Sequence, residues 1–368
     1  AGLSPSPSLE KGIMVIAPRR APDLPTRLLS LAALLAVTAC TDAATSPRAV
    51  APLTPAANAD MVQGTATTVS YDAKSLAEYQ SKWSNIYGPL ELAAGGTLRV
   101  NSTGNVNVRA VPFHVGADFS VYDHLKYIAI SNQSFAVPAN GSLMFSVRIT
   151  ASTPGTQAGR VIRGCYGGPF SYASVADPCA QPWSAVAMEG QQAGVVLNMI
   201  NFATGQLFDW FISENKAFAL VERLPSNVTG SGNVGLDKAY TQIVREATIT
   251  PGKKYDVAIR YTRGAGVSRV EFFLNGALFA STDNVGIPLD VQGVPYTGVY
   301  PSYGPGEALA SQLDSFVIGH GLFSLLDAYP FQHPDRPDLS VSIPMSERLF
   351  GQGADGTWEK FTVTTQPR

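Results

Sequence analysis

The chain has 368 residues, with 26 Lys and Arg against 28 Asp and Glu and a formal net charge of −2. That balance excludes a basic nucleic-acid binder, because neutralising phosphates needs a surplus of Lys and Arg. The apolar share is 45% and the charged share 15%, which excludes a disordered chain, and no run of about 20 apolar residues marks an ordinary membrane span.

Residues 1–39 read as a targeting leader rather than as structure. Met14 offers a start, Arg19, Arg20 and Arg27 a positive segment, and residues 28–39 (LLSLAALLAVTA) a short apolar segment. This segment ends at Val37-Thr38-Ala39-Cys40, which resembles a bacterial lipobox. The resemblance implies cleavage before Cys40 and a lipid on its sulfur, hence a membrane-anchored lipoprotein of the bacterial periplasm or cell surface. The other reading is a plain signal peptide with a chance cysteine. Residues 40–66 are dominated by Ala, Pro and Thr, which cannot pack a core, and read as a tether.

With Cys40 set aside, Cys165 and Cys179 remain as an even pair around a Gly- and Ser-rich loop. Export permits a disulfide there, worth about 3 kcal/mol for a loop of that size. A metal pair suits the residues less, since neither a C-x-x-C spacing nor a nearby His is present.

From about residue 70 the pattern becomes short runs of period two, the mark of half-buried strands. In the segment 142–150, Leu143, Phe145, Val147 and Ile149 share one face. A meander of three strands is expected at 195–202, 206–212 and 217–224, turning at 203–205 and 213–216. In 255–262, Tyr255, Val257, Ile259 and Tyr261 share a face, and Val270, Phe272 and Leu274 do so in the next run. Asn275-Gly276 is a hairpin signal, because a type I′ turn needs positive φ at both central residues. Helical spacing is confined to residues 75–83, with a turn at 324–328. The pattern predicts an all-β, two-sheet antiparallel jelly-roll sandwich over 67–330, with extended N- and C-terminal segments. Residues 331–368 are assigned as an extended C-terminal arm, either reaching a neighbouring subunit or packing a last strand back on the sandwich.

The run GKKYDVAIRY from Gly252 to Tyr261, followed by VEFFLNG from Val270 to Gly276, resembles late strands of concanavalin A-like sandwiches, the superfamily of laminin-G-like domains, legume lectins and family 16 glucanases. Leu313 to Gly319 resembles the closing strand, and the stretch from Trp83 to Tyr329 resembles an uncharacterised bacterial lipoprotein family of this fold. For the glucanases the resemblance implies an E-x-D-x-x-E strand. Here the comparable strand keeps Asp209 only, with Leu207 at the nucleophile position and Phe211 or Ile212 at that of the acid. Glu222 and Glu271 lie on other strands. No catalytic residue is therefore assigned, and the chain is expected not to be an enzyme. His114, His124, His320 and His333 show no zinc spacing.

Calcium is the ion the resemblance implies, with Asp118, Asp123, Asp283 and Asn284 as candidates; each is equally a turn residue. No other cofactor is expected. Trp183, Trp210, Tyr300 and Tyr303 are candidate contacts for a sugar or a protein partner. The leading expectation is a structural lipoprotein docked on a membrane-protein complex, in the manner of the extrinsic periplasmic subunit of a photosynthetic reaction-centre–antenna complex. The alternatives are a carbohydrate-binding surface lipoprotein and, behind it, a glycoside hydrolase.

Overall fold

The computed structural model describes residues 64–87, 96–110, 125–157, 161–167, 184–188, 193–213, 215–223, 240–285, 307–309, 313–323, 340–342 and 352–368. They lie in the unit Ala59–Arg368. In chain order they form β1 Thr67–Ser70, the helix α1 Leu76–Lys82, β2 Trp83–Tyr87, β3 Thr97–Val100, β4 Val106–Ala110, β5 Leu125–Ser131, β6 Phe135–Ala136 and β7 Gly141–Ser152. Then come β8 Val161–Gly167, β9 Ser184–Met188, β10 Gly194–Asn201, β11 Gln206–Ser213, β12 Lys216–Arg223, β13 Tyr240–Thr248 and β14 Lys254–Gly264. The last are β15 Val267–Leu274, β16 Ala277–Thr282, β17 Asn284–Val285, β18 Glu307–Ala308, β19 Ser315–Phe323, β20 Ser340–Ser342 and β21 Ala354–Pro367.

The first sheet runs β16-β15-β14-β7-β21-β4-β3, with β1 against β21. The second runs β13-β12-β11-β10-β19-β5-β2, with β6 against β19. Both are antiparallel, so the fold is the expected two-sheet sandwich. The alternation read in the sequence is the one that builds it. Along β7, every second residue is buried, and Leu143, Phe145, Val147 and Ile149 enter the core. The hairpin at Asn275-Gly276 forms with φ of 51° and 80°, the positive pair its residues signalled. Ser75 caps α1, its Oγ accepting from the Glu78 N–H at 3.1 Å.

Two assignments are corrected. Residues 354–367 are not an arm but, as the other reading of a last strand packing back on the sandwich expects, a strand: β21, an inner strand of the first sheet between β7 and β4. It stays in the sheet by a bulge at Lys360 (φ 60°), which shifts the register between Glu359 and Thr362 and keeps both Trp358 and Phe361 buried. Asp72 Oδ1 accepts the Phe361 N–H at 2.8 Å, and Phe361 returns its carbonyl to the Tyr71 N–H at 2.8 Å. The sandwich thus extends to Pro367. Leu313–Gly319 is likewise not the closing strand: β19 lies inside the second sheet, between β10 and β5.

The core is aromatic and carries one polar knot. Tyr79 Oη lies 2.6 Å from Tyr127 Oη and 2.8 Å from His320 Nε2, with Trp83, Trp358 and Phe361 around the imidazole. Burial pushes the His320 pKa down to about 3. The folded state therefore holds His320 neutral, while the unfolded chain protonates it below about pH 6.5. His320 leaves stability unchanged above that pH and reduces it as the pH falls from there toward 3. Urea titrations across this window should show a slope of about 1.4 kcal/mol per pH unit that is absent in His320→Gln; identical slopes would contradict a neutral buried imidazole. Truncation before residue 354 should abolish the cooperative transition, whereas an arm could be removed without loss.

Candidate functional site

Strands β10, β11 and β12 are buried along both faces, which is why they read as nearly continuous apolar runs. Their inward residues join the core: Leu197 and Met199, Phe208 and Trp210, Ala219 and Val221. Their outward residues form a second, separate surface. At one end Val196, Phe211, Phe218, Leu220, Ile243 and Phe323 cluster. At the other end Ile128, Ile130, Ile200 and Leu207 do, with Val317 against them.

Between these clusters the face is polar. The register sets Asn198 opposite Asp209 on one side and opposite Gly319 on the other. Glu222 is opposite Leu207, and Asp209 opposite Leu220, so the two acids are diagonal neighbours on adjacent strands. Such diagonals place Cβ atoms roughly 7 Å apart. Asn198 leans over β19, where a Cβ on Gly319 would lie 2.0 Å from its Oδ1; glycine is what leaves room for the amide.

All three side chains are closed to solvent: Asn198 is 1% exposed, Asp209 0% and Glu222 3%. Asn198 Oδ1 and both Asp209 oxygens lack hydrogen-bond partners. Burial first, and the Glu222 charge second, hold the Asp209 carboxyl well above the usual carboxylate range. A carboxylic acid kept neutral beside a second carboxyl is a proton donor next to an acceptor, and strongly perturbed groups of this kind concentrate at functional sites.

The other candidates fall elsewhere. Trp210 is corrected from a ligand contact to a core residue, since its indole turns inward and donates to the Ala258 carbonyl at 3.0 Å. Glu271 is bound by Arg260 through two contacts of 2.8 and 2.9 Å on the first sheet. Asp283 is exposed at a bend, its carbonyl accepting from the Leu309 N–H, and Asn284 begins β17. No group of three or more His, Cys, Asp or Glu suited to a metal occurs among the described residues. Cys165 lies in β8. Cys40, Cys179, Asp118, Asp123, Trp183, Tyr300 and Tyr303 lie outside the described residues. No described helix is long and apolar enough to cross a membrane.

A family model matches residues 87–367, most of the chain. The chain belongs to the family of unknown function DUF6081. The comparison of this DUF6081 chain with curated proteins gives no match. Among solved structures it is similar to an endo-1,3-beta-glucanase from Streptomyces sioyaensis, at 9% identity and a TM-score of 0.37, covering 85% of this chain and 100% of that one. It is similar to a glycosyl hydrolase family 16 protein from Mycobacterium smegmatis, at 10% identity and a TM-score of 0.32, covering 81% and 98%. It is also similar to a carbohydrate-binding module from Bacillus subtilis, at 10% identity and a TM-score of 0.27, covering 74% and 95%.

The raised Asp209 pKa favours the fold at low pH, and that advantage is lost as the pH rises above about 4, where the unfolded chain ionises. Asp209→Asn removes the ionisation and keeps the shape. It should raise stability at pH 7 by about 1 kcal/mol or more and leave stability at pH 3 nearly unchanged, as read by chemical denaturation. A loss of stability at pH 7 would mean the carboxyl is well satisfied where it lies.

Proposed function

We propose that the protein binds a carbohydrate across the outer face of its second sheet and holds it without cutting it. The observation that carries this reading is the buried, unpartnered Asp209 set beside Glu222 between two apolar clusters. A sugar ring offers the same mixture, with C–H faces for the apolar clusters and hydroxyls that both donate and accept. A neutral carboxylic acid also does both. Asp209 and Glu222 are buried, so a sugar reaches them only as this face opens, and association slower than an open-site encounter is expected.

Cleavage with retention needs two carboxyls about 5–5.5 Å apart across one bond. On this face the neighbours of Asp209 along β11 are Leu207 and Phe211, and those directly across are Asn198 and Leu220. Besides Asp209 this face carries Glu222 and, toward the β13 edge opposite Phe218, Glu246; Lys216 holds Glu246 at 2.5 Å, and the Glu222 charge acts to keep Asp209 protonated. The lipobox-like Cys40 supports placing this binding at the bacterial envelope. Docking on a membrane complex loses one of its supports, because the supposed arm ends as a sheet strand.

Calorimetric titration with neutral oligosaccharides, alongside an assay for new reducing ends, tests the proposal. Binding without product is expected, unchanged by a calcium chelator and weakened about tenfold or more in Asp209→Asn. Reducing ends that disappear in Glu222→Gln would make the protein a hydrolase. Absence of sugar binding, with a stoichiometric membrane partner co-purifying in mild detergent, would return the docking reading.

A further inference from the structure

The two sheets end side by side at β13 and β16, the edge strands of the second and the first sheet. Between them opens a cleft of about 580 Å3, lined from both edges by residues that include Arg245, Leu278, Phe279, Ser281 and Thr282. That volume is in the range of small-ligand sites. The cleft is separate from the Asp209 face, because β16 belongs to the opposite sheet.

Its chemistry centres on Arg245. The guanidinium lies over the Phe279 ring, 4.6 Å from its centroid, and Nη1 donates to the Phe279 carbonyl at 2.6 Å. Phe279 packs in turn on Trp210, with ring centroids 5.4 Å apart, so the platform is anchored in the core. One N–H of the five in the guanidinium is thereby used. Ion pairs tie down the cations Lys82, Arg109, Arg148, Lys216, Lys254 and Arg260, but Arg245 takes part in none of those among the described residues. A guanidinium held flat by a ring, with its fork left over, matches a planar carboxylate in two-point geometry. Ser281 faces outward opposite Glu271 and adds a polar wall, and Leu278, 55% exposed, adds an apolar rim.

We propose that this cleft is a second carbohydrate subsite, specific for an acidic sugar whose carboxylate Arg245 holds. The proposal rests on the carbohydrate reading above and deepens it: the ligand is a polysaccharide bearing uronic-acid units. Arg245 binds the carboxylate, Leu278 meets the ring face, and the Ser281 hydroxyl meets those of the sugar.

Titration of the full-length chain with an oligogalacturonide, and with a neutral oligosaccharide of equal length, tests it. The oligogalacturonide should bind, weaken with added salt, and lose about tenfold or more in affinity in Arg245→Gln. Arg245→Lys should not restore it, since an ammonium lacks the fork. In the parent protein, neutral-sugar binding without oligogalacturonide binding counts against this cleft, and oligogalacturonide binding without neutral-sugar binding counts against the Asp209 face, so failure at one site is distinguishable from failure at the other. Thermal unfolding of each variant verifies that it is folded. No oligogalacturonide binding, affinity in folded Arg245→Gln within twofold of the parent, or equal binding of a glutamate-rich peptide would overturn the assignment.

Discussion

Two indoles join the sheets, and the rest of the molecule follows from which way they face. Trp358 of the first sheet donates to the Val196 carbonyl of the second, and Trp210 of the second donates to the Ala258 carbonyl of the first, each at 3.0 Å. A buried indole N–H needs an acceptor, so each tryptophan sets its strand against one place on the opposite sheet. Strand side chains alternate, and turning Trp210 inward turns Asp209 and Phe211 outward. The same parity sends Leu197 in and Asn198 out, and Val221 in and Glu222 out. The polar row is the other side of the packing that makes the core.

The contrast with the first sheet singles out that row as the candidate site. On the outside of the first sheet, charges are paired across strands: Arg148 with Asp256, Arg260 with Glu271, Lys254 with Glu359. Deep in the core, His320 is neutral and shares its Nε2 with Tyr79. Asp209 has neither a cation nor a hydrogen bond. A group that costs stability without structural return is the kind of local inconsistency that function maintains.

Much of this was legible in the residues. The hairpin positions, the meander and the inward faces of β7 and β14 follow from period two and from turn chemistry. The Asp209–Glu222 diagonal was legible too, though less directly. A turn at 213–216 pairs Ser213 with Lys216, and counting back along both strands sets Asp209 two residues from the partner of Glu222. A search for acids on one strand misses a pair held on two. The placement of β21 was not legible, because strand order depends on which edges meet, and a run after PFQHPDRPD reads the same whether it ends in a sheet or outside one. Trp210 was misassigned because alternation shows which residues share a face but not which face is buried when both are.

The protonation state of Asp209 tests the central claim most directly. In protein carrying 13C at the aspartate carboxyls, the Asp209 resonance followed through a pH titration should remain that of a neutral acid well above pH 4, and should move when a neutral oligosaccharide is added. A carboxyl that titrates near 4 and does not respond to sugar would contradict the account.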